Sequence, residues 1–182
     1  MFTSHTILRT GLFTTLLASA ACSTTSADTV APDSLREGEH QRLGRLVGEW
    51  SGTGTLQMGS DAAPVTSRFS CEVAPGGVAV ACVHRAEIEG MGPLVENALI
   101  GIDPTDGKLH WYNVNTMGET HDHVGEWASD DSIAWSFEGH AEGQPLVEAI
   151  TMKVTSDTLS FRSETTVAGQ PAARFEGSMQ RR

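Results

Sequence analysis

The residues best suited to chemistry crowd one stretch, LHWYNVNTMGETHDHVGEW, residues 109–127. It holds His110, His121 and His123, with Trp111, Tyr112, Asn113, Asn115, Asp122 and Trp127 among them. Imidazoles bind metals or move protons near neutral pH. Indole rings wall apolar ligands, and amides orient them. On a strand, alternate side chains share a face, so His121, His123 and Trp127 point one way. Which residues of the preceding run join them depends on the turn. A two-residue Gly118–Glu119 loop sets His110 opposite Trp127, Tyr112 opposite Gly125 and Val114 opposite His123. A register shifted by one brings Leu109, Trp111 and Asn113 to that face instead.

Three uses fit this stretch. In the first, His121 and His123 supply two metal ligands, with His110 or His84 from a neighbouring strand as a third. Two histidines two apart fall short of the ligand set of a strong site, so no metal and no other cofactor is assigned. In the second, Trp111, Asn113, His121, His123 and Trp127 line a pocket for a small, largely apolar molecule. In the third, they are exposed or internally hydrogen-bonded strand residues.

Glu148 adds a separate possibility. It falls in step with Leu146, Ile150, Met152 and Val154, and an inward carboxylate with a raised pKa is an acid or base in waiting. An enzyme acting on a bound molecule through His121, His123 or Glu148 is therefore the alternative to a binding module. The chain has no nucleophile elbow, no locally supported Ser/His/Asp spacing and no paired-carboxylate motif, so no catalytic residue is assigned.

The elements that position these groups read as strands. Runs rich in Val, Ile, Thr, Phe and Trp alternate with turn chemistry at regular intervals, from EWSGTGTLQM near residue 50 to PAARFEGSMQ at the end. The loops between them are GSDAAP, APGG, EGMGP, DPTDGK, GE, SDD, AEGQ, TSD and AGQ. About ten strands with short connections make a series of antiparallel hairpins. A flat sheet that long leaves two bare edges, and closing it into an up-and-down barrel removes them. The fold class is thus all-β, an antiparallel barrel, over residues 34–182. One short helix precedes it. Ser34 and Glu37 have capping-box spacing, and Leu35, Leu43, Leu46 and Val47 share a stripe.

In RLVGEWSGTGTL, residues 45–56, Gly48, Gly52 and Gly54 interrupt the first strand. Glycine weakens a strand but allows the tight bend and close backbone approach that barrel closure needs. Trp50 then plugs the barrel beneath the helix. A phosphate cradle would require the order strand, glycines, helix, and here the helix comes first.

Charge and leader bound the partners. Twelve Lys and Arg stand against 23 Asp and Glu, a net charge of −11, which repels phosphate backbones and excludes nucleic acid as a partner. Residues 1–21 carry Arg9 and then the apolar run GLFTTLLASAA, a secretory signal too short to span a bilayer. Cys22 follows Ser19-Ala20-Ala21 in a pattern similar to bacterial lipoprotein cleavage sites, although Ser19 stands where that pattern prefers leucine. Residues 22–33, rich in Ser, Thr and Pro, then form a tether. The expectation is an exported, lipid-anchored protein facing the periplasm, touching the membrane only through lipid on Cys22. Ordinary cleavage after Ala20, Ala21 or Ala27 would instead release it.

In such a compartment Cys71 and Cys82 can pair. With Gly76–Gly77 as a two-residue loop, Cys71 faces Cys82 on the side of Val65, Phe69, Val73, Val78 and Val80. That places them at a hydrogen-bonded ladder site with Cα atoms about 5.5 Å apart.

The stretch Leu46-Val47-Gly48-Glu49-Trp50-Ser51-Gly52 resembles the opening strand of lipocalin-like (calycin) barrels. It is similar to a bacterial family of uncharacterised barrels with an L-V-G-x-W-x-G start, in which a G-[IY]-D turn precedes an aromatic strand. Gly101-Ile102-Asp103 and LHWYNVNT match that turn and strand. The resemblance covers about residues 40–182 and implies the fold without implying an activity. The same start also resembles haem-binding nitrobindin barrels, in which a histidine near the chain's end holds the iron. Here the last histidine is His140.

Overall fold

Ten strands follow one short helical segment in the structure, a computed structural model whose described residues are 39–182. The leader, Cys22, the tether and the Ser34–Glu37 capping box with Leu35 lie outside those residues. Helix α1 (Glu39–Leu43) runs directly into a 3₁₀ turn, Gly44–Leu46. The strands are β1 (Gly48–Met58), β2 (Asp61–Val73), β3 (Ala79–Ile88), β4 (Gly92–Ile102) and β5 (Leu109–Asn115). The second half is β6 (Thr120–Ser129), β7 (Ser132–Ala141), β8 (Gln144–Val154), β9 (Thr158–Val167) and β10 (Gln170–Arg181). Each pairs antiparallel with the next, and β1 pairs with β10, so the sheet closes.

Closure is tightest where β1 meets β10. Gly52 lies opposite Met179 and Gly54 opposite Gly177. A β-carbon on Gly52 would collide with the Ser178 carbonyl, and one on Gly54 would sit 2.6 Å from the Glu176 carbonyl and 2.8 Å from the Phe175 ring. These glycines let the two backbones coil past each other without side chains between them.

The helical segment seals one end. Leu43, Leu46, Trp50, Ile100, Ile133 and Leu159 are all essentially inaccessible there, and each such side chain stabilises the fold by roughly 1.5–3 kcal/mol. Trp50 Nε1 donates to the Leu46 carbonyl at 2.9 Å. The Arg181 guanidinium lies 4.0 Å over the Trp50 ring and donates to the carbonyls of Val47, Arg45 and Ser156. The last strand therefore fastens the plug that the first strand provides.

At the other end the hairpin tips expose Met58, Met91 and Met117. The inward residues nearest this mouth, among them Leu56, Leu94, His121, Glu148 and Thr165, are only partly buried. One end is thus packed with apolar groups, and the other admits solvent.

Two turns differ from expectation. The β1–β2 hairpin turns over Gly59–Ser60, and Asp61 to Pro64, expected as loop, already belong to β2. Pro64 is tolerated because its carbonyl accepts from Glu89 N, just beyond the end of β3, where no ladder bond needs its missing N–H. The β2–β3 turn is the second. Cys71 does pair with Cys82, and they form a disulfide. However, Gly77 N bonds to the Ala74 carbonyl and Ala74 N to the Ala79 carbonyl. The tight turn therefore centres on Pro75–Gly76, and the cysteines fall at a non-hydrogen-bonded site with Cα atoms 4.2 Å apart. Val78 sits in that turn, 40% exposed, rather than in the wall.

Candidate functional site

The β5–β6 hairpin decides which groups enter the lumen. Asn115 Oδ1 accepts from the backbone N–H groups of Met117 and Glu119, and Gly118 N bonds to the Asn115 carbonyl. Gly118 takes a positive φ of 85° to close this longer loop. Leu109 therefore pairs with Gly125, Trp111 with His123 and Asn113 with His121. This is the register that sends Leu109, Trp111 and Asn113 inward.

His110 consequently lies on the outer surface, packed under loops. Its Nδ1 is 2.8 Å from Asp122 and its Nε2 3.3 Å from Asp106, and its ring stacks on Tyr112. Burial pulls its pKa down, but the bonds to Asp122 and Asp106 outweigh that and hold it above the ordinary histidine value. His110 cannot serve as a third ligand with His121 and His123.

Inside, Trp111, Asn113, His121 and His123 converge. His123 is 2% exposed; its Nε2 donates to Glu148 Oε2 at 2.9 Å, and its Nδ1 faces Asn113 Nδ2 at 3.5 Å. His121 Nδ1 lies 3.8 Å from the same Glu148 oxygen. Donor atoms of His121, His123 and Glu148 all lie within 4.8 Å of one another. Burial, then the neighbouring His123, lowers the His121 pKa.

This contact reaches from β6 to β8 across β7 because Phe137 yields the space between. Its ring leans over Gly139, where a β-carbon would sit 2.7 Å away. The His121 ring stacks on Phe137 with centroids 4.0 Å apart. Trp127 stands apart from the group. It is four residues along β6 from His123, at the sealed end, with Arg42 4.0 Å over its ring.

Next to the histidine group is a cavity of about 100 Å³. Phe69, Trp111, Phe161 and Phe175 form its apolar walls, and Ser67, His84 and Glu96 are among its polar ones, with Thr53, Ser163 and Ser178. Glu96 and Ser67 were not singled out from the sequence, yet the signal existed. Glu96 keeps step with Leu94, Ala98 and Ile100, as Glu148 does on its own strand. His84 Nε2 is 3.2 Å from Ser67 Oγ. Burial drives the His84 pKa down to about 4. Burial pushes Glu96 up to about 7, against the pull of His123. Among the described residues, Glu96 Oε1 and Asn113 Oδ1 are buried without a hydrogen-bond partner.

The family model matches residues 36–181, which include every strand. The chain belongs to the DUF1579 family, described as proteins of unknown function. No curated protein matches this DUF1579 chain in sequence. In fold it is similar to the crystal structure of Rv2717c from M. tuberculosis, with TM-score 0.63 and 17% identity over 81% of this chain and 99% of that one. It is also similar to the S-type phycobiliprotein lyase CPES from Guillardia theta. That match has TM-score 0.51 and 9% identity over 81% of this chain and 93% of that one. At these identities the likeness concerns the fold.

Haem does not fit this DUF1579 barrel. Strands β8 to β10, where the nitrobindin resemblance would place the iron's histidine, contain none. Met152, Phe161, Phe175 and Met179 face inward there. The cavity is also well below the roughly 300 Å³ at which ordinary ligand pockets begin.

Proposed function

We propose that this DUF1579 protein is an exported, lipid-anchored barrel of the cell envelope that binds a small, largely apolar molecule in its lumen. The observation that carries this reading is the cavity walled by Phe69, Trp111, Phe161 and Phe175, with Ser67, His84 and Glu96 among the polar groups that line it. Apolar walls with sparse, placed polar groups are the usual make-up of a ligand site. A cavity of about 150 Å³ holds benzene. The smaller space here takes the apolar end of a ligand, held among Phe69, Trp111, Phe161 and Phe175. Flexible methionines at the hairpin tips suit an entrance for such a molecule. The kinship with lipocalin-like barrels belongs to the same proposal.

Export is supported by Arg9, the apolar run behind it and Cys22. The Cys71–Cys82 bond suits an oxidising compartment outside the cytosol. The His123–Glu148 pair is not part of the cavity wall, which favours binding over catalysis.

Native mass spectrometry of protein purified from its own host tests the lumen. A non-covalent adduct that leaves on denaturation, and is lost in a Ser67→Phe variant that fills the cavity, is expected. A bare mass overturns the reading. Mass analysis of the mature N-terminus tests the anchor: lipid on Cys22 is expected, and an unmodified terminus beyond Cys22 refutes it.

A further inference from the structure

We propose that His121, His123 and Glu148 form a divalent transition-metal site of the zinc class near the mouth of the barrel, with Asn113 positioning His123. The sequence supplied two of these donors at a spacing too weak to assign a metal. Folding supplies the third from β8.

The distances suit an ion. Metal–ligand bonds of 2.0–2.2 Å at tetrahedral angles put donor atoms about 3.3–3.5 Å apart. Glu148 Oε2 is 2.9 Å from His123 Nε2 and 3.8 Å from His121 Nδ1, so these two separations bracket that spacing. The two histidine donors lie within 4.8 Å of each other, so that separation closes by at most about 1.3 Å when the side chains turn all three donors onto one centre. Two imidazoles and one carboxylate are a mixed nitrogen–oxygen set that favours zinc and its first-row neighbours over calcium or magnesium. Three protein ligands leave a fourth position for water or another small ligand. His121 and Glu148 are each about one-fifth exposed, so an ion arrives from the mouth without opening the sheet.

Asn113 gives an independent reason. A metal on His123 Nε2 requires the ring proton on Nδ1, and that N–H then needs an acceptor. Asn113 lies there, 5% exposed, with Nδ2 3.5 Å from Nδ1 and with Oδ1 lacking a partner among the described residues. Turning the amide over presents Oδ1 to Nδ1–H. That one change satisfies the orphaned acceptor and frees the Nε2 lone pair toward Glu148. Moving the proton from Nε2 to Nδ1 leaves the imidazole neutral, so no charge is added to the lumen. Phe137 holds the His121 ring by stacking, which limits the rotamer entropy lost when the ion binds.

This inference is independent of the cavity ligand, because none of the three donors lines the cavity. The test titrates tag-free, chelator-stripped protein with Zn²⁺, and with Co²⁺ as a spectroscopic probe. One ion per chain is expected, and Co²⁺ should show the visible bands of a low-coordinate site. His121→Ala and Glu148→Gln, both partly exposed and mild for folding, should each weaken Zn²⁺ binding by more than about 100-fold. Asn113→Leu should weaken it about 10–100-fold. Asn113→Asp, which keeps an oxygen facing Nδ1, should restore most of the loss. Near-UV circular dichroism confirms that each variant retains the fold. Absence of stoichiometric binding to the wild type overturns the proposal, as does binding unchanged in His121→Ala and Glu148→Gln. Equal losses in Asn113→Leu and Asn113→Asp refute the positioning role.

Discussion

His84 and Glu96 face each other across β3 and β4, both turned into the lumen, and burial holds each in its uncharged form at mildly acidic pH. Their effects on stability run in opposite directions. Unfolded histidine protonates near 6.5 and folded His84 only near 4. Between those values the unfolded state carries the extra proton, and stability rises with pH. Folded Glu96 keeps its proton up to about 7, against 4.5 when unfolded. In that window the folded state carries the extra proton, and stability falls as pH rises.

The two slopes, each about 1.4 kcal/mol per pH unit, nearly cancel between 4.5 and 6.5. Relative to wild type, His84→Gln should therefore lose stability as pH rises through this range. Glu96→Gln should gain over the same range. Urea denaturation at several pH values measures both. Parallel profiles for all three proteins would contradict the assignment.

The β1–β10 seam should be intolerant of a single methyl group. Gly52→Ala aims its β-carbon at the Ser178 carbonyl, a backbone atom with no rotamer to yield. We expect a loss of about 3 kcal/mol or more, read from equilibrium unfolding. Serine at Gly59, where nothing crowds the added atoms, pays only for the positive φ and should cost far less.

Gly139→Ala should act more gently, because the atom it meets belongs to a side chain. The Phe137 ring must swing back toward His123 and Glu148. A destabilisation of about 1–3 kcal/mol is expected. Chemical shifts of the His121 and His123 ring protons should move with it, since both rings contact Phe137.

Reducing the Cys71–Cys82 bond frees only a short hairpin, so the loop-entropy model assigns it about 3 kcal/mol. Chemical denaturation with and without reductant should show a loss of that order. The folded protein should keep its β circular dichroism, because β2 and β3 also pair over eight further positions on the same ladder.

Much of the barrel was legible from the chain because strand alternation and turn residues are local signals. All ten strands, the closing role of Gly52 and Gly54, and the partnership of Cys71 with Cys82 follow from them. The β5–β6 register was not legible. It rests on Asn115 Oδ1 capping two backbone amides and on the positive φ of Gly118, and a turn one residue longer reverses every side chain after it. The meeting of His123 with Glu148 was less visible still, since it spans a strand and depends on where the Phe137 ring lies. Trp127 looked equivalent to His121 and His123 by alternation alone. Distance along the barrel axis, which alternation does not report, separates it from them.

The latch made by Arg181 sets an order of events. The carbonyl of Val47 and its arginine are 134 positions apart, and β1 has no second neighbour until β10 exists. A polypeptide emerging amino end first therefore carries its opening strand half-paired until nearly all the barrel has been made. Until then that ribbon keeps one bare edge open to other half-made copies.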